Sequence, residues 1–285
     1  MRTVRAVSDL RVALHADRLA GRSIGFVPTM GALHEGHLSL IRRACAAANV
    51  VVVSVFVNPL QFNEQSDLVA YPRDLDRDAR LAEGAGAHLL FAPDVQEVYP
   101  AGFSTSVKVA GVTAPLEGVS RGESHFTGVT TVVAKLFNIV QPAVAYFGQK
   151  DAQQAAVVRR MVRDLNFPIC IEVCPTIREA DGLAMSSRNV RLDADARRRA
   201  PALYRALEEA RRLIVSGERD AHAVARAARE RLRADGVEPE YLDVVSADDF
   251  TAVNQIDGDV VVAVAARVGG VRLIDNVLVE RSGRA

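Results

Sequence analysis

Two histidines, His34 and His37, lie three residues apart in the stretch PTMGALHEGH, between an apolar run and a helical pattern. Such a pair could ligate a metal, bind a phosphate or lie in a loop without a ligand. Metal binding is the weaker reading, because the zinc motif His-Glu-x-x-His places both imidazoles on one helical face and Gly36 interrupts that spacing here. A phosphate fits the position better, because a strand end followed by a helix N-terminus forms an anion site.

The stretch GLAMSSRN offers a second set of phosphate-binding groups. Ser186 and Ser187 supply hydroxyls, and Arg188 supplies a guanidinium that can contact two phosphate oxygens at once. Taken alone, this stretch is typical of a solvated linker. A His-x-Gly-His signature at a strand-to-helix turn resembles the nucleotidylyltransferase superfamily, whose members also have a basic, serine-containing loop. Together, the two stretches predict a nucleotide site.

Polar side chains also follow two other apolar runs. They are Asn58, Gln61 and Asn63 after the first run, and Lys150, Asp151, Gln153 and Gln154 after the second. An amide can hold a hydroxyl and a carboxylate at once, and a lysine suits a phosphate. Each of these residues alone is as well explained by a helix cap or a turn. The sequence has neither a P-loop nor a G-x-G-x-x-G fingerprint, which argues against a kinase or a dehydrogenase.

The segments that must position these residues alternate between strand and helix patterns. The predicted strands are SIGFVPT, NVVVVSVFV, AHLLFAP, VAYFGQK and ICIEVCP, and the predicted helices are GHLSLIRRACAAA, DLDRDARLAEGAG, HFTGVTTVVAKLFNIV and DAQQAAVVRRMVRDL. Continuously apolar strands between helices are typical of a parallel sheet covered on both faces. We therefore predict an α/β fold with a Rossmann-like, doubly wound parallel sheet over residues 1–175, which binds ligands at the carboxyl ends of its strands.

The pattern changes after Pro175. A polar loop, helices over 193–216 and 218–234, and the strand patterns PEYLDVVSA, DVVVAVAARV and VRLIDNVLV predict a second, smaller α+β domain over residues 176–285. The serine–arginine loop lies at this domain boundary. We therefore predict that the smaller domain closes on the nucleotide and excludes water from the reaction.

Composition argues against several classes of partner. The 285 residues include 35 basic and 35 acidic side chains, so the charge gives no case for nucleic acid or an anionic membrane as partner. The apolar stretch from Val50 to Val57 is far too short to span a bilayer, and the charged N-terminus is unlike a signal peptide. The 3 cysteines form neither a disulfide framework nor a zinc motif. We expect a cytoplasmic protein.

Longer motifs narrow the resemblance to one family. PTMGALHEGHLSLI, VSVFVNPLQFN, YPRDLDRD, FGQKDAQQ, READGLAMSSRN and RLIDN resemble, in order and spacing, the pantoate–β-alanine ligase (pantothenate synthetase) family, from about Phe26 to Asn276. The resemblance implies an ATP- and Mg²⁺-dependent ligase that forms pantoyl adenylate and pyrophosphate from pantoate and ATP. The amine of β-alanine then takes the pantoyl group, and AMP and pantothenate are released. A homodimer is also implied.

The same resemblance implies roles for individual residues. Those that would stabilise the reacting phosphates are His34, His37, Lys150, Ser186, Ser187 and Arg188. ATP would lie against Pro28, Thr29, Met30, Gly36, His37, Gly148, Lys150, Asp151, Met185, Ser186, Ser187 and Arg188. Pantoate would contact Met30, Asn58, Gln61, Tyr71, Arg121 and Gln154. Asp78 would lie on the side of the magnesium ion, which is expected to bridge phosphate oxygens and to have few protein ligands.

The chain departs from the family pattern in several places. Arg77 stands where an acidic residue is expected beside Asp78, one extra residue precedes His125 in SRGESHF, and Gln149 stands where glutamate is common. Three alternative functions stay open, and these departures favour only the second of them. The chain could be a nucleotidylyltransferase that releases an activated nucleotide, a catalytically silent homologue that serves as a binding module, or a metal-dependent hydrolase.

Overall fold

A computed structural model gives the structure of the chain and describes residues 1–63 and 65–280. The described residues divide into two units. The first unit consists of Met1–Gly148 and Val157–Pro175, and the second unit consists of Gln149–Ala156 and the chain from Thr176. Across the described range, no helix is both long and apolar enough to cross a membrane.

The first unit is built on a parallel sheet. Within the described residues its strands are β1 (Arg2–Val4), β2 (Ile24–Thr29), β3 (Val50–Val55), β4 (Leu89–Phe91), β5 (Val144–Gly148) and β6 (Cys170–Cys174), in the order β1-β4-β3-β2-β5-β6. All the pairings are parallel. Residues Val50 to Val53 of β3 are buried, as expected for a central strand with helices on both faces.

The helices of this unit follow the strands in a doubly wound pattern. They are α1 (Val7–Leu19), α2 (Glu35–Ala47), α3 (Gln65–Ala70), α4 (Leu75–Gly84), α5 (Val95–Val98), α6 (Glu117–Arg121) and α7 (Glu123–Val140), with a short 3-10 turn at Pro59–Gln61. Helix α8 (Ala152–Asp164) starts in the second unit and ends in the first. Leu40, Ile41 and Ala44 of α2 are buried in a core shared with Val27 and Val53 of the sheet.

The strand order places a topological switch point between β2 and β5. From β2 the chain moves through β3 to β4 on one side, and it then returns to β5 and β6 on the other side. Ligands of doubly wound sheets bind at the carboxyl ends of the strands at such a point. The histidine motif follows β2 directly, so the topology places it at the position where a ligand is expected.

The second unit is an α+β structure with a separate core. Its described helices are α9 (Ala194–Arg199), α10 (Ala202–Val215) and α11 (Ala221–Ala234), and 3-10 turns lie at Gln149–Asp151 and Asn189–Arg191. Its described strands, β7 (Pro239–Ser246), β8 (Val260–Val268) and β9 (Val271–Val279), form an antiparallel sheet in that order. Apolar side chains of α10 and α11 pack with the sheet in one buried cluster.

The predicted fold class is confirmed, although helices α1, α3, α5 and α6 were not predicted and two other elements differ from the prediction. The helix predicted over 193–216 is two helices, α9 and α10, because Pro201 cannot continue the hydrogen bonding of a helix interior. The N-terminal segment, for which we predicted no strand, forms β1 beside β4. Only Val4 of β1 is buried, so this edge strand lacks the apolar run that identified the others.

Candidate active site

His34 and His37 form a reciprocal cap at the N-terminus of α2. The Nδ1 atom of His34 accepts from the backbone N–H of Gly36 at 3.2 Å, and the Nδ1 atom of His37 accepts from the N–H of His34 at 3.4 Å. The ring centroids lie 4.1 Å apart. A neutral imidazole that accepts at Nδ1 has its hydrogen on Nε2. The cap therefore makes both histidines Nε2–H donors, which is the form that can donate to an anion at this helix end.

The loop before the histidines is held by the start of α4. Asp78 is 1% exposed, and its carboxylate accepts from the N–H groups of Ala32 at 2.9 Å and Leu33 at 2.7 Å. Arg77 donates to the carbonyl oxygen of Leu33 at 3.2 Å. Both backbone groups of Leu33 are thus bound by neighbouring side chains of one helix. This contact gives Arg77 a role in place of the acidic residue that the family pattern leads us to expect.

Gly31 is required where this loop passes Asp78. Its φ is +85°, and a Cβ atom there would lie 2.8 Å from Oδ2 of Asp78 and 2.9 Å from Cγ1 of Val55. Burial raises the pKa of Asp78, against the opposing effect of its backbone hydrogen bonds. These contacts show Asp78 as a support of the loop, and its place on the metal side stays a prediction.

Three of the predicted pantoate residues lie together in the first unit. The Nε2 atom of Gln61 lies 2.7 Å from Sδ of Met30, and Oε1 of Gln61 accepts from Nδ2 of Asn58 at 3.1 Å. Met30 follows β2, and Asn58 and Gln61 follow β3, so the neighbouring strands bring the three side chains into contact. The cluster presents a thioether beside two amides, a combination that suits a ligand with both methyl and hydroxyl groups.

Helix α7 fixes the backbone of this cluster. Asn58 is 1% exposed, and it donates to the carbonyl oxygen of Gly128 at 3.1 Å and accepts from the hydroxyl of Tyr99 at 2.9 Å. His125 Nδ1 lies 2.8 Å from the carbonyl oxygen of Gln61. The extra residue before His125 therefore does not prevent this histidine from contacting the candidate pantoate site. Burial raises the pKa of Tyr99, so its hydroxyl stays protonated and donates.

Two other predicted pantoate residues have contacts outside this cluster. Tyr71 is buried with its ring 5.7 Å from that of Phe62, and Arg121 pairs with Glu117, one turn earlier in α6, at 2.8 Å. Their roles toward pantoate stay predictions.

Two of the predicted ATP residues, Pro28 and Thr29, end β2. The Thr29 hydroxyl donates to the carbonyl oxygen of Ser54 at 2.7 Å.

The second unit contains the other predicted phosphate residues. The Nζ atom of Lys150 lies 3.7 Å from Oδ1 of Asp151, in the 149–151 turn that follows Gly148 and β5. The Ser186 hydroxyl accepts from the N–H of Arg188 at 3.3 Å, which forms a local turn. Met185 and Ser187 lie in the same loop, and Gln154 lies near the start of α8.

Sequence reasoning missed the support of the lysine turn. Nδ2 of Asn276 donates to the carbonyl oxygens of Gln149 at 2.9 Å and Lys150 at 3.0 Å, and its Oδ1 accepts from Nε2 of Gln149 at 2.9 Å. Gln149, which stands where glutamate is common, can therefore donate a hydrogen bond to the amide oxygen of Asn276. The motif RLIDN was the available signal, but it gave no indication of what Asn276 contacts.

Chemically, these groups suit a reaction at a phosphorus centre, where negative charge develops on the phosphate oxygens. The described residues show imidazole N–H donors, a lysine, hydroxyls and a guanidinium, all of which stabilise negative charge on phosphate oxygens. Within the described ranges, no cluster of three or more histidine, cysteine, aspartate or glutamate side chains could hold a metal ion.

Comparison with known proteins points to one family. A family model described as pantoate-beta-alanine ligase matches residues 2–278. A pantothenate synthetase from Moorella thermoacetica is 53% identical over 281 residues, which cover 98% of this chain and 99% of that protein.

Solved structures agree in fold as well as in sequence. The crystal structure of a pantothenate synthetase from Thermus thermophilus superposes with a TM-score of 0.91 at 50% identity, and covers 97% of this chain and 99% of that one. A pantoate-beta-alanine ligase from Francisella tularensis, complexed with beta-gamma ATP and beta-alanine, gives a TM-score of 0.81 at 33% identity, covering 98% and 97% of the two chains.

Proposed function

The chain belongs to the pantoate–β-alanine ligase family, and on that premise we propose that it joins pantoate to β-alanine in an ATP-dependent reaction that yields pantothenate. The observation that carries the proposal is the extent of the match, which runs from residue 2 to residue 278. It includes the histidine cap, the amide cluster, the lysine turn and the serine–arginine loop.

The reaction proceeds in two steps. A carboxylate oxygen of pantoate attacks the α-phosphorus of ATP, the bond from that phosphorus to the bridging oxygen breaks, and pyrophosphate leaves. The amine nitrogen of β-alanine then attacks the acyl carbon of pantoyl adenylate. The bond from the acyl carbon to the phosphate oxygen breaks, a proton leaves the nitrogen, and AMP is released.

Residues of the first unit act on the substrates through preset donors. His34 and His37 donate from Nε2 to phosphate oxygens, where negative charge develops as the α-phosphorus is attacked. The α2 cap supports this role because it fixes the tautomer of both rings before ATP binds. Met30, Asn58 and Gln61 bind pantoate, and their mutual contacts support a common role.

Residues of the second unit bind the phosphates, the ribose and part of pantoate. Lys150 contacts the phosphates, and Ser186, Ser187 and Arg188 bind the departing pyrophosphate. Asp151 binds the ribose, and Gln154 adds to the pantoate contacts. These roles follow from the family motifs at these positions, and the residue types supply the charge and the donors that the roles need.

Mg²⁺ would be held mainly by ATP in this chain, and it would supply positive charge that neutralises the phosphates. The described residues offer no three-ligand cluster, and both oxygens of Asp78 bind backbone N–H groups. Activity lost in a chelator should return with Mg²⁺ and not with Zn²⁺. Restoration by Zn²⁺ alone would favour the metal-dependent hydrolase.

We also propose that the protein is a cytoplasmic homodimer, as the family resemblance implies. Cys45, Cys170 and Cys174 are all free thiols, which is compatible with a reducing compartment. Light scattering on the purified chain tests the dimer, and a mass of about 31 kDa would reject it, since one chain is 30.7 kDa. Cell fractionation tests the compartment.

The deciding experiment measures pyrophosphate release from ATP, Mg²⁺ and pantoate, with and without β-alanine. We expect release to rise when β-alanine is added and pantothenate to appear by mass spectrometry. His37→Ala should lower the rate about 10²- to 10³-fold, the usual cost of losing one donor to a developing negative charge. His15→Ala removes an exposed histidine of α1 and serves as the matched control.

Other outcomes identify the alternatives. One equivalent of pyrophosphate per enzyme with no response to β-alanine would keep adenylation and point to another acceptor. Release of an activated nucleotide from another substrate would favour a nucleotidylyltransferase. ATP binding without any release would favour a silent homologue.

A further inference from the structure

A buried polar network lies in β9 of the second unit. Asp275 and Asn276 are each 4% exposed, in a strand whose neighbours are largely apolar. Buried polar groups are destabilising unless they are hydrogen-bonded, so adjacent buried polar residues are retained only with partners. Their partners here belong to the two segments that contain the candidate phosphate residues of this unit.

Asn276 binds the turn that contains Lys150. Its amide nitrogen donates to the carbonyl oxygens of Gln149 and Lys150, and its amide oxygen accepts from the side chain of Gln149. Both amide hydrogens are therefore used on the backbone of one turn. These hydrogen bonds satisfy the buried amide, and because both acceptors belong to one turn they also fix the turn that presents the lysine.

Asp275 binds the segment that leads to the serine–arginine loop. Its carboxylate accepts from Nη1 of Arg178 at 2.6 Å and from Nη2 at 3.0 Å. Arg178 also donates from Nη1 to the carbonyl oxygen of Gly182 at 3.1 Å. Oδ1 of Asp275 accepts from the backbone N–H of Asn276 at 2.8 Å. The contacts of Asp275 and those of Asn276 are therefore joined by this hydrogen bond.

Tyr204 completes the support of this loop. The centroid of its ring lies 3.9 Å from Cζ of Arg178, and a Cβ atom on Gly182 would lie 2.3 Å from Cδ1 of the ring. Gly182 has a φ of +92°, so this position favours glycine for its backbone as well as for its packing. The start of the loop is therefore fixed by a guanidinium, an aromatic ring and a glycine.

We infer that Asn276 is a positioning residue for Lys150, anchored through Asp275 to the Arg178 support of the loop that contains Ser186, Ser187 and Arg188. The inference rests on the proposed function, because it assumes that these groups contact the phosphates of ATP. It assigns to the RLIDN motif the task of holding two phosphate-binding segments of this unit in fixed positions. A displacement of about 1 Å at such a group can lower a rate about a hundred-fold.

An ATP-binding cycle tests the inference on the full chain. Isothermal titration calorimetry gives the Kd for ATP with Mg²⁺ of the wild type, Asn276→Ala, Lys150→Ala and the double variant. We expect each single variant to raise Kd about tenfold and the double variant to raise it no further, because Asn276 acts through Lys150. Independent effects, with a roughly hundred-fold loss in the double variant, would overturn the inference.

A matched control separates positioning from stability. Val279→Ala truncates a buried residue of the same strand that has no part in the network, and it should lower the urea midpoint without changing the Kd for ATP. If Asn276→Ala lowers the midpoint alone, its role is structural and the inference fails. If Asn276→Ala does not fold, Gln149→Ala removes one hydrogen bond to Asn276 and should raise Kd about threefold, whereas an unchanged Kd would overturn the inference.

The outcomes for the two proposals are distinct. A wild type that binds ATP and releases no pyrophosphate with pantoate contradicts the proposed ligase, while the binding cycle still decides on Asn276. A wild type that binds no ATP overturns both. Pyrophosphate release in the wild type together with additive effects in the cycle overturns only the positioning role.

Discussion

Replacing Asp78 with alanine separates two roles for this carboxylate, a metal ligand or a support for the histidine loop. In the structure, the carboxylate accepts from the backbone N–H groups of Ala32 and Leu33 and is 1% exposed. The alanine variant leaves both N–H groups without this acceptor in a site that water does not reach. His34 follows Leu33 directly, so movement of the loop displaces the α2 cap.

The size of the effect follows from these contacts. A buried donor left unsatisfied costs about 1–3 kcal/mol, so the loss of both bonds costs about 2–6 kcal/mol. Burial raises the pKa of Asp78, which means that the ionised carboxylate is itself destabilised and that alanine removes this cost. We therefore expect a loss of about 2–4 kcal/mol. Activity should fall by about 10- to 100-fold, because the histidine donors lose their positions.

Two assays distinguish the roles. Urea unfolding without nucleotide or metal reports the stability of the loop support, and the Mg²⁺ dependence of pyrophosphate release reports metal binding. We expect a lower urea midpoint and an unchanged half-saturating Mg²⁺ concentration. Asp76→Ala, which removes an exposed carboxylate of the same helical turn, is the control. A wild-type midpoint combined with a raised Mg²⁺ requirement would refute the support role and favour the metal.

Two further predictions concern packing and protonation. Gly128→Ala should raise the KM for pantoate about tenfold with little change for ATP, because its Cβ would lie 2.2 Å from the Leu60 carbonyl oxygen, beside the amide cluster. Gly84→Ala, with open space around its Cβ, is the control, and an unchanged KM would contradict the packing argument. Burial raises the pKa of Cys174 to about 11, so at pH 8 iodoacetamide should label exposed Cys170 first. Labelling of Cys174, followed by peptide mass spectrometry, should accelerate as the pH rises toward 11, and equal rates for the two thiols at pH 8 would contradict this.

The fold was predictable where the pattern of apolar residues matched the final environment. Strands β2 and β3 are buried on both faces of a parallel sheet, so their sequences are continuously apolar and identify them. The three-residue strand β1 lacks such a run and was missed. The break at Pro201 was missed because the apolar spacing continues across it, although proline removes a helical hydrogen bond.

Within the candidate site, local signals were more informative than distant ones. The position of the histidines after a strand and at a helix start could be predicted, because it depends on neighbouring residues. The reciprocal cap that sets their tautomer is local too, but it becomes visible only with the geometry of the turn. The contacts of Gln61 with Met30 and His125 join residues more than 30 positions apart, and a single sequence contains no direct signal for them.

In both units, a side chain from another element binds the backbone of a loop that contains candidate phosphate-binding residues. A loop that follows a strand has backbone donors and acceptors without sheet partners, yet a group that binds phosphate must be held still. In the first unit Asp78 binds two backbone N–H groups of the histidine loop, and in the second unit Asn276 binds two carbonyl oxygens of the lysine turn. The residue types follow from the groups that they bind. Backbone N–H groups need an acceptor, which the carboxylate of Asp78 supplies. Carbonyl oxygens need a donor, which the amide of Asn276 supplies. The acidic residue near this phosphate site therefore has a role that its own contacts explain, which is to hold the backbone of the histidine loop.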